Sequence, residues 1–159
     1  MPMTRKASTP TPPQLRLDNQ LCFAVYAAAH SFAQAYKPFL DPVGLTYPQY
    51  LVLLELWEVD GRTVKQLGEP LFLDSGTLTP MLKRMEAAGW IVRRRDVQDE
   101  RAVRVTLTEK GRAFQKEARR IPAALMCAGG LDVAAVAALR GRLKRVAANL
   151  REAAKAGEA

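Results

Sequence analysis

Apolar residues recur at helical spacing toward both ends of this chain, and in between the spacing tightens to strand-like alternation. Leu17, Leu21, Val25, Ala28, Phe32 and Tyr36 fall on one face of a first helix, predicted over 18–36 with Asp18 as N-cap. The segment KPFLDPVGL follows as a connector, broken by Pro38, Pro42 and Gly44. Thr46 and Gln49 have capping-box spacing and open a second helix that Gly61 ends. Pro48 sits harmlessly in its first turn, and Leu45 and Tyr50 are placed for a hydrophobic staple. Thr63 and Gln66 repeat the box and predict a short helix over 64–69, with Leu71, Phe72 and Leu73 as the turn after it. Asp74 or Ser75 caps the next helix and Gly89 stops it, while Pro80 removes one backbone bond and bends its first turns.

After Gly89 the period changes. IVRRRDVQDERAVRVTLT alternates apolar and charged residues on both sides of a polar DVQDE turn, as a two-stranded hairpin does. Thr108 then opens a long amphipathic helix that Pro122 kinks and Ala128, Gly129 and Gly130 break. Val133, Val136, Leu139, Leu143, Val146 and Leu150 stripe a last helix over 131–153. The pattern is a mainly α fold with a small β-hairpin wing: a winged helix-turn-helix plus terminal helices. Its divisions are a disordered tail over 1–16, an N-terminal dimerisation helix and connector over 17–45, the winged helix-turn-helix over 46–110, and C-terminal dimerisation helices over 111–155. The terminal stripes bury against each other or a second chain, and a symmetric dimer suits a reader of paired half-sites.

A capped helix followed by an arginine-studded ribbon has a familiar use: the helix enters a DNA major groove and the ribbon lies along the backbone or minor groove. The candidate groove residues are Ser75, Thr77, Thr79, Lys83 and Arg84. Arg94 and Arg95 lie on the ribbon, and Arg101 is the candidate for minor-groove insertion. Arg93, Arg94 and Arg95 are consecutive, so at least one faces back toward the helix, where Asp96, Asp99 or Glu100 could pair with it. The formal net charge of +8 agrees with a polyanionic partner, double-stranded DNA above all.

No apolar run approaches a membrane span, and the Pro-, Thr- and Ser-rich N-terminus has no leader-like apolar core. Two cysteines without a leader indicate a reducing, cytoplasmic compartment. Cys22 and Cys127 lie 105 positions apart, so no metal-ligand spacing exists, and no cofactor is expected. The ordinary reading of a free cysteine is a small buried apolar residue. Against it, Cys22 lies about one turn into a helix, where the dipole favours an anion, and Cys127 sits beside a Gly-Gly break. His30 is the sole histidine and reads as structural or surface; Trp57 and Trp90 read as core anchors. There is no catalytic triad pattern, phosphate loop or H-E-x-x-H, so the chain does not read as an enzyme.

The element order, with YPQYLVLLELWE and DSGTLTPMLKRMEAAGWIVRRRDVQDERAVRVTLTEKG, resembles the MarR family of winged-helix repressors. The wing's D-x-R is Asp99-Glu100-Arg101, with Asp99 in a structural role. LCFAVYAAAHSFAQAYKPFLDPVGLTYPQYLVL resembles the organic-hydroperoxide-sensing members. That resemblance implies a homodimer that represses from a pseudo-palindromic operator. It implies that organic hydroperoxide oxidises Cys22 to a sulfenic acid, that Tyr36 and Tyr47 hold the thiolate, and that Cys127 of the other subunit closes a disulfide that releases DNA. A continuous helix puts Tyr36 about 21 Å from Cys22 of its own chain, so it must meet the partner's Cys22. The alternatives are a repressor induced by a phenolic or lipophilic ligand in the dimer cleft, a thiol peroxidase, and a nucleoid-type binder without operator preference.

Overall fold

The computed structural model describes residues 11–157. The expectation of a disordered tail falls for residues 1–10 outside that range. From residue 11 on it is corrected: Pro13–Leu15 and Leu17–Asn19 form successive 3-10 turns. Asn19 Nδ2 donates to the Pro13 carbonyl at 2.7 Å, and Gln20 Nε2 donates to those of Gln14 and Arg16 at 2.7 and 3.2 Å. These bonds keep Asp18 inside a 3-10 turn, so the first helix, α1 (Leu21–Leu40), starts behind Gln20 rather than Asp18.

The same helix also runs past its expected end at Tyr36, through Pro38 to Leu40. Proline there costs one backbone bond, but Leu40 and Leu45 drop into the core and Phe39 packs against it. Burial outweighs the local breaker. The connector shrinks to a 3-10 turn at Asp41–Val43 and Gly44, whose φ of 72° lies in the left-handed region.

Helix α2 (Tyr47–Glu58) opens behind Thr46, whose N–H donates to Gln49 Oε1 at 2.9 Å. It ends at Glu58, three residues ahead of Gly61, which sits in the following turn. A two-residue strand, β1 (Arg62–Thr63), precedes α3 (Val64–Leu71), which is two residues longer at its C-terminus than expected. Thr63 accepts from the Gln66 N–H while its own N–H donates to Gln66 Oε1 at 2.9 Å.

The turn to α4 (Ser75–Ala87) is made by Phe72 in the left-handed conformation, φ 55° and ψ 37°. The Leu73 N–H reaches back to the Gly68 carbonyl at 3.0 Å, and that of Phe72 to Glu69 at 3.3 Å, closing the helix end as a Schellman-type turn. Strands β2 (Ile91–Arg95) and β3 (Val103–Leu107) form the wing. β1 pairs on the far edge of β3, making an antiparallel sheet of order β1-β3-β2 rather than the expected two-stranded ribbon.

The expected long helix after Thr108 is two: α5 (Glu109–Ala118) and α6 (Ile121–Ala128). Pro122 cannot donate to the Ala118 carbonyl, and its ring excludes a helix through that point. The chain breaks at Arg119–Arg120 and restarts with proline in the first turn. After Gly130, with φ 64°, α7 (Val133–Gly157) runs to the end of the described residues.

A single core takes Leu40 and Leu45 with α2, α3, α4, the wing base, Phe114, Ile121 and Leu125. Trp90 is buried within it and Trp57 half-buried at its edge, where Nε1 donates to the Gly111 carbonyl at 2.9 Å. The face of α1 at Leu21, Val25 and Phe32, and that of α7 at Leu139, Leu143, Val146 and Leu150, are exposed instead.

Candidate functional site

Two separate sites emerge. The first is the surface shared by α4 and the wing. Asp74 caps α4, its Oδ1 accepting the Thr77 N–H at 2.8 Å and its Oδ2 the Thr77 hydroxyl at 3.2 Å. Those two bonds, the backbone one foremost, hold the Asp74 carboxyl below the usual carboxylate range. Leu78, Met81, Leu82 and Met85 turn into the core. Ser75, Thr77, Lys83 and Arg84 are exposed and Thr79 is half-buried. Gly76 and Pro80 lie along the middle of the exposed arc, so the helix backbone itself can come close to a partner. Pro80 also leaves the Gly76 carbonyl without its helical donor on that side.

The wing is tied to this helix by charge. Arg93 donates its backbone N–H to Glu86 Oε1 at 2.7 Å, and its Nε and Nη2 to Glu86 Oε2 at 3.1 and 2.9 Å. Arg93 is therefore the arginine that turns back toward the helix, and its partner is Glu86 of α4 instead of Asp96, Asp99 or Glu100. The same bonds keep the Glu86 carboxyl low, the backbone donor first. Arg94 stands directly opposite Arg104 across the β2–β3 pair, an arrangement that repels. Asp96 resolves it. Only 6 % exposed, its carboxylate accepts from the Gln98 N–H at 2.7 Å and the Asp99 N–H at 3.3 Å, and forms an ion pair with Arg104. Arg104 in turn donates to the Gly61 carbonyl beside β1. The Asp96 carboxyl lies below its usual range, held first by the Gln98 N–H and then by Arg104.

Asp99 Oδ1 accepts the Arg101 N–H at 3.0 Å within the tip turn. From sequence the wing's structural carboxylate is Asp99, with Asp96 offered only as a partner for an arginine that faces back; the buried one is Asp96. The signal was there, since Asp96 opens an Asx-type turn two and three residues ahead of its donors. Arg94, Arg95 and Arg101 remain exposed and have no acidic partner among the described residues. Between wing and helix pair lies a cleft of about 580 Å³ lined by Thr63, Lys65, Ser75, Thr79 and Arg101 among others. Lys65, at the start of α3, is a cation the sequence reading did not single out.

The second site is on α1. Cys22 is exposed, one residue into the helix and so in its first turn, where backbone N–H groups lack helical acceptors. Cys127 is exposed near the end of α6. Neither is the small buried apolar residue that is the ordinary reading of a free cysteine. α1 is uninterrupted from Cys22 to Tyr36, so the two lie on one face but about 21 Å apart. Tyr36 instead meets Tyr47 and Tyr50 of its own chain, ring centroids 4.6 and 5.5 Å away. Burial, with the neighbouring phenols adding to it, pushes Tyr36 up to about 12; Tyr47 is raised by burial as well. Both phenols therefore stay protonated donors. His30 is exposed and packs on Tyr26, 4.5 Å between centroids. No cluster of three metal-ligating side chains occurs among the described residues.

Residues 34–118 match the family described as transcriptional regulator SarA/Rot. The chain is 53 % identical over 112 residues to the organic hydroperoxide resistance transcriptional regulator of Bacillus subtilis, covering 70 % of this chain and 76 % of that protein. It is 63 % identical over 99 residues to the HTH-type transcriptional regulator TtmR of Methylorubrum extorquens. There the match takes in 62 % of this chain and about half, 51 %, of the relative's length. Among solved structures, reduced AbfR bound to DNA superposes with a TM-score of 0.73 at 38 % identity, covering 89 % of this chain and 99 % of that one. AbfR is a Staphylococcus epidermidis protein. Its disulfide-formed structure gives 0.58 at 41 % identity over 84 % and 93 % of the two chains, whereas overoxidised AbfR bound to DNA gives 0.72, so the present arrangement is nearer the DNA-bound forms than the disulfide form. The chain belongs to the SarA/Rot family of MarR-like winged-helix transcriptional regulators.

Proposed function

We propose that this regulator is a cytoplasmic homodimeric repressor that binds a pseudo-palindromic operator and releases it when organic hydroperoxide oxidises Cys22. The observation that carries the reading is the unbroken α1 with exposed Cys22 and the phenol of Tyr36 fourteen residues apart on one face. Antiparallel pairing of two such helices through Leu21, Val25 and Phe32 brings each Cys22 to the partner's Tyr36, with Tyr47 stacked beside it. The exposed stripe on α7 supplies the rest of the dimer interface. Among the described residues no single helix is long and apolar enough to cross a membrane. The relatives are regulators rather than enzymes.

In this reading the Cys22 thiolate attacks the distal oxygen of ROOH. The O–O bond breaks, Cys22 becomes a sulfenic acid, and the alkoxide leaves as ROH after taking a proton. Protonated Tyr36 and Tyr47 donate hydrogen bonds to the thiolate and the departing oxygen. The thiol of the partner's Cys127 then displaces water from the sulfenic acid and forms the disulfide. At the other end, α4 enters the major groove with Ser75, Thr77, Thr79, Lys83 and Arg84. Arg94, Arg95 and Arg101 with the wing follow the backbone and the adjacent minor groove.

The deciding experiment is an operator gel shift with cumene hydroperoxide on wild type and Cys22→Ser, run beside a non-reducing gel. Wild type should lose DNA and form a covalent dimer, with dithiothreitol reversing both, and Cys22→Ser should stay bound. Release of Cys22→Ser by peroxide, or by a phenolic ligand alone, would replace this reading with induction through the dimer cleft.

A further inference from the structure

Phe72 is the one non-glycine residue with positive φ among the described residues, and its ring is 68 % exposed. A bulky aromatic in that conformation, on the surface, is unusual on both counts. The turn explains the backbone: Phe72 closes α3 and launches α4. It does not explain the ring, which could be any side chain. What the ring touches is Arg151, whose guanidinium carbon lies 4.3 Å from its centroid.

Arg151 stands on α7, outside the helix-turn-helix. None of the residues of α7 is buried within its own chain, so packing inside the chain does little to fix its position. Its near end follows the Gly129–Gly130 break, which begins two residues after Cys127 and has Gly130 in the left-handed region. The glycine turn offers a hinge close to the candidate disulfide, and the helix touches the DNA-reading head eighteen residues into its length. Over those eighteen residues, about 27 Å, a swing of about 10° at the hinge carries Arg151 about 5 Å. That displacement takes a contact at 4.3 Å beyond the roughly 6 Å within which a cation feels a ring.

We infer that the Arg151–Phe72 contact is a redox-sensitive strut: α7 holds the turn between α3 and α4 in the DNA-binding pose, and movement at Cys127 withdraws it. The inference rests on the Cys22–Cys127 reading above and adds the route by which oxidation reaches the reading helix.

The test is operator affinity, by fluorescence anisotropy, of the reduced and the cumene-hydroperoxide-oxidised protein. The chains compared are wild type, Arg151→Ala, Arg151→Lys, Phe72→Leu and the Phe72→Leu/Arg151→Ala double variant. Arg151→Ala alters an exposed side chain, so folding is not at risk. It should weaken the reduced protein's binding about two- to fivefold, the factor a surface cation–π contact carries. The oxidised protein should be unaffected, so the reduced-to-oxidised ratio shrinks by the same factor. Phe72→Leu should match it, the double variant should lose no more than either single one, and Arg151→Lys should restore part of the loss. Losses that add, or an unchanged ratio in Arg151→Ala, would overturn the strut. So would a weaker salt dependence in Arg151→Ala alone, which marks a direct phosphate contact. Absence of a covalent dimer in wild type would remove the redox reading itself, an outcome visible on the gel before any variant is compared.

Discussion

Gly68 lies buried in α3, and a Cβ added there would run into the Leu73 carbonyl. That carbonyl belongs to the turn whose N–H closes back on Gly68. The two residues therefore approach backbone to backbone, and α4 is docked through that approach. Gly68→Ala should force the turn outward and cost about 1–3 kcal/mol, as overpacking does. A urea melt reads the stability. The operator affinity should fall further than the melt alone implies, because the displaced element is the reading helix. A variant as stable as wild type would show that the turn can relax. Gly68 was not singled out from sequence, since a glycine in a short helix looks like a weakness in propensity, whereas here it is required by a contact formed only in the fold. The capping residues were legible for the opposite reason. Thr63 with Gln66 and Thr46 with Gln49 act across three residues, so the sequence contains the whole interaction.

The wing shows what alternation can and cannot say about an element. The strands and the DVQDE turn were readable because strand period and turn residues are local. The third strand was not, since β1 has two residues and no period. Nor was the division of labour among five arginines: Arg93 serves Glu86, Arg104 serves Asp96, and only the remainder face outward. The tip is consequently held by one buried carboxylate. Because Asp96 is lowered in the folded chain relative to its ordinary 3.8, its stabilising effect is fully present above that value. It is lost as the pH falls through the lower folded value. Amide exchange protection at Gln98 and Asp99, measured by mass spectrometry across that acidic range, should drop with the carboxylate's titration. Asp96→Asn should abolish the pH step and lower protection at neutral pH. Protection that is equal in the two proteins at pH 7 would show that the tip turn stands without the ion pair. The ends of α1 were similarly out of local reach, because burial of Leu40 overrides Pro38.

At the scale of the whole molecule, the same arginines distinguish a scaffold from an interface and a dimer from a monomer. Each exposed cation that neutralises a phosphate releases counterions, so the logarithm of the binding constant falls with the logarithm of salt by about 0.9 per contact. In a symmetric dimer every substitution is made twice. Arg95→Ala should therefore reduce the magnitude of the salt slope for operator binding by about 1.8 if Arg95 meets one phosphate per subunit. Arg94→Ala should do the same. Arg93→Ala should behave differently: Glu86 loses both guanidinium bonds and keeps only the backbone N–H at position 93, the helix-to-wing tie loosens, and affinity drops with the slope nearly unchanged. A titration of operator affinity between 50 and 200 mM salt, roughly the range over which such slopes are read, separates the cases. A loss of only about 0.9 on Arg95→Ala would mean that one wing of the pair, and not two, engages the DNA. An unchanged slope for both Arg94→Ala and Arg95→Ala would place the wing off the phosphate backbone. The electrostatic attraction would then have to come from cations elsewhere, those of α4 and Lys65 among them.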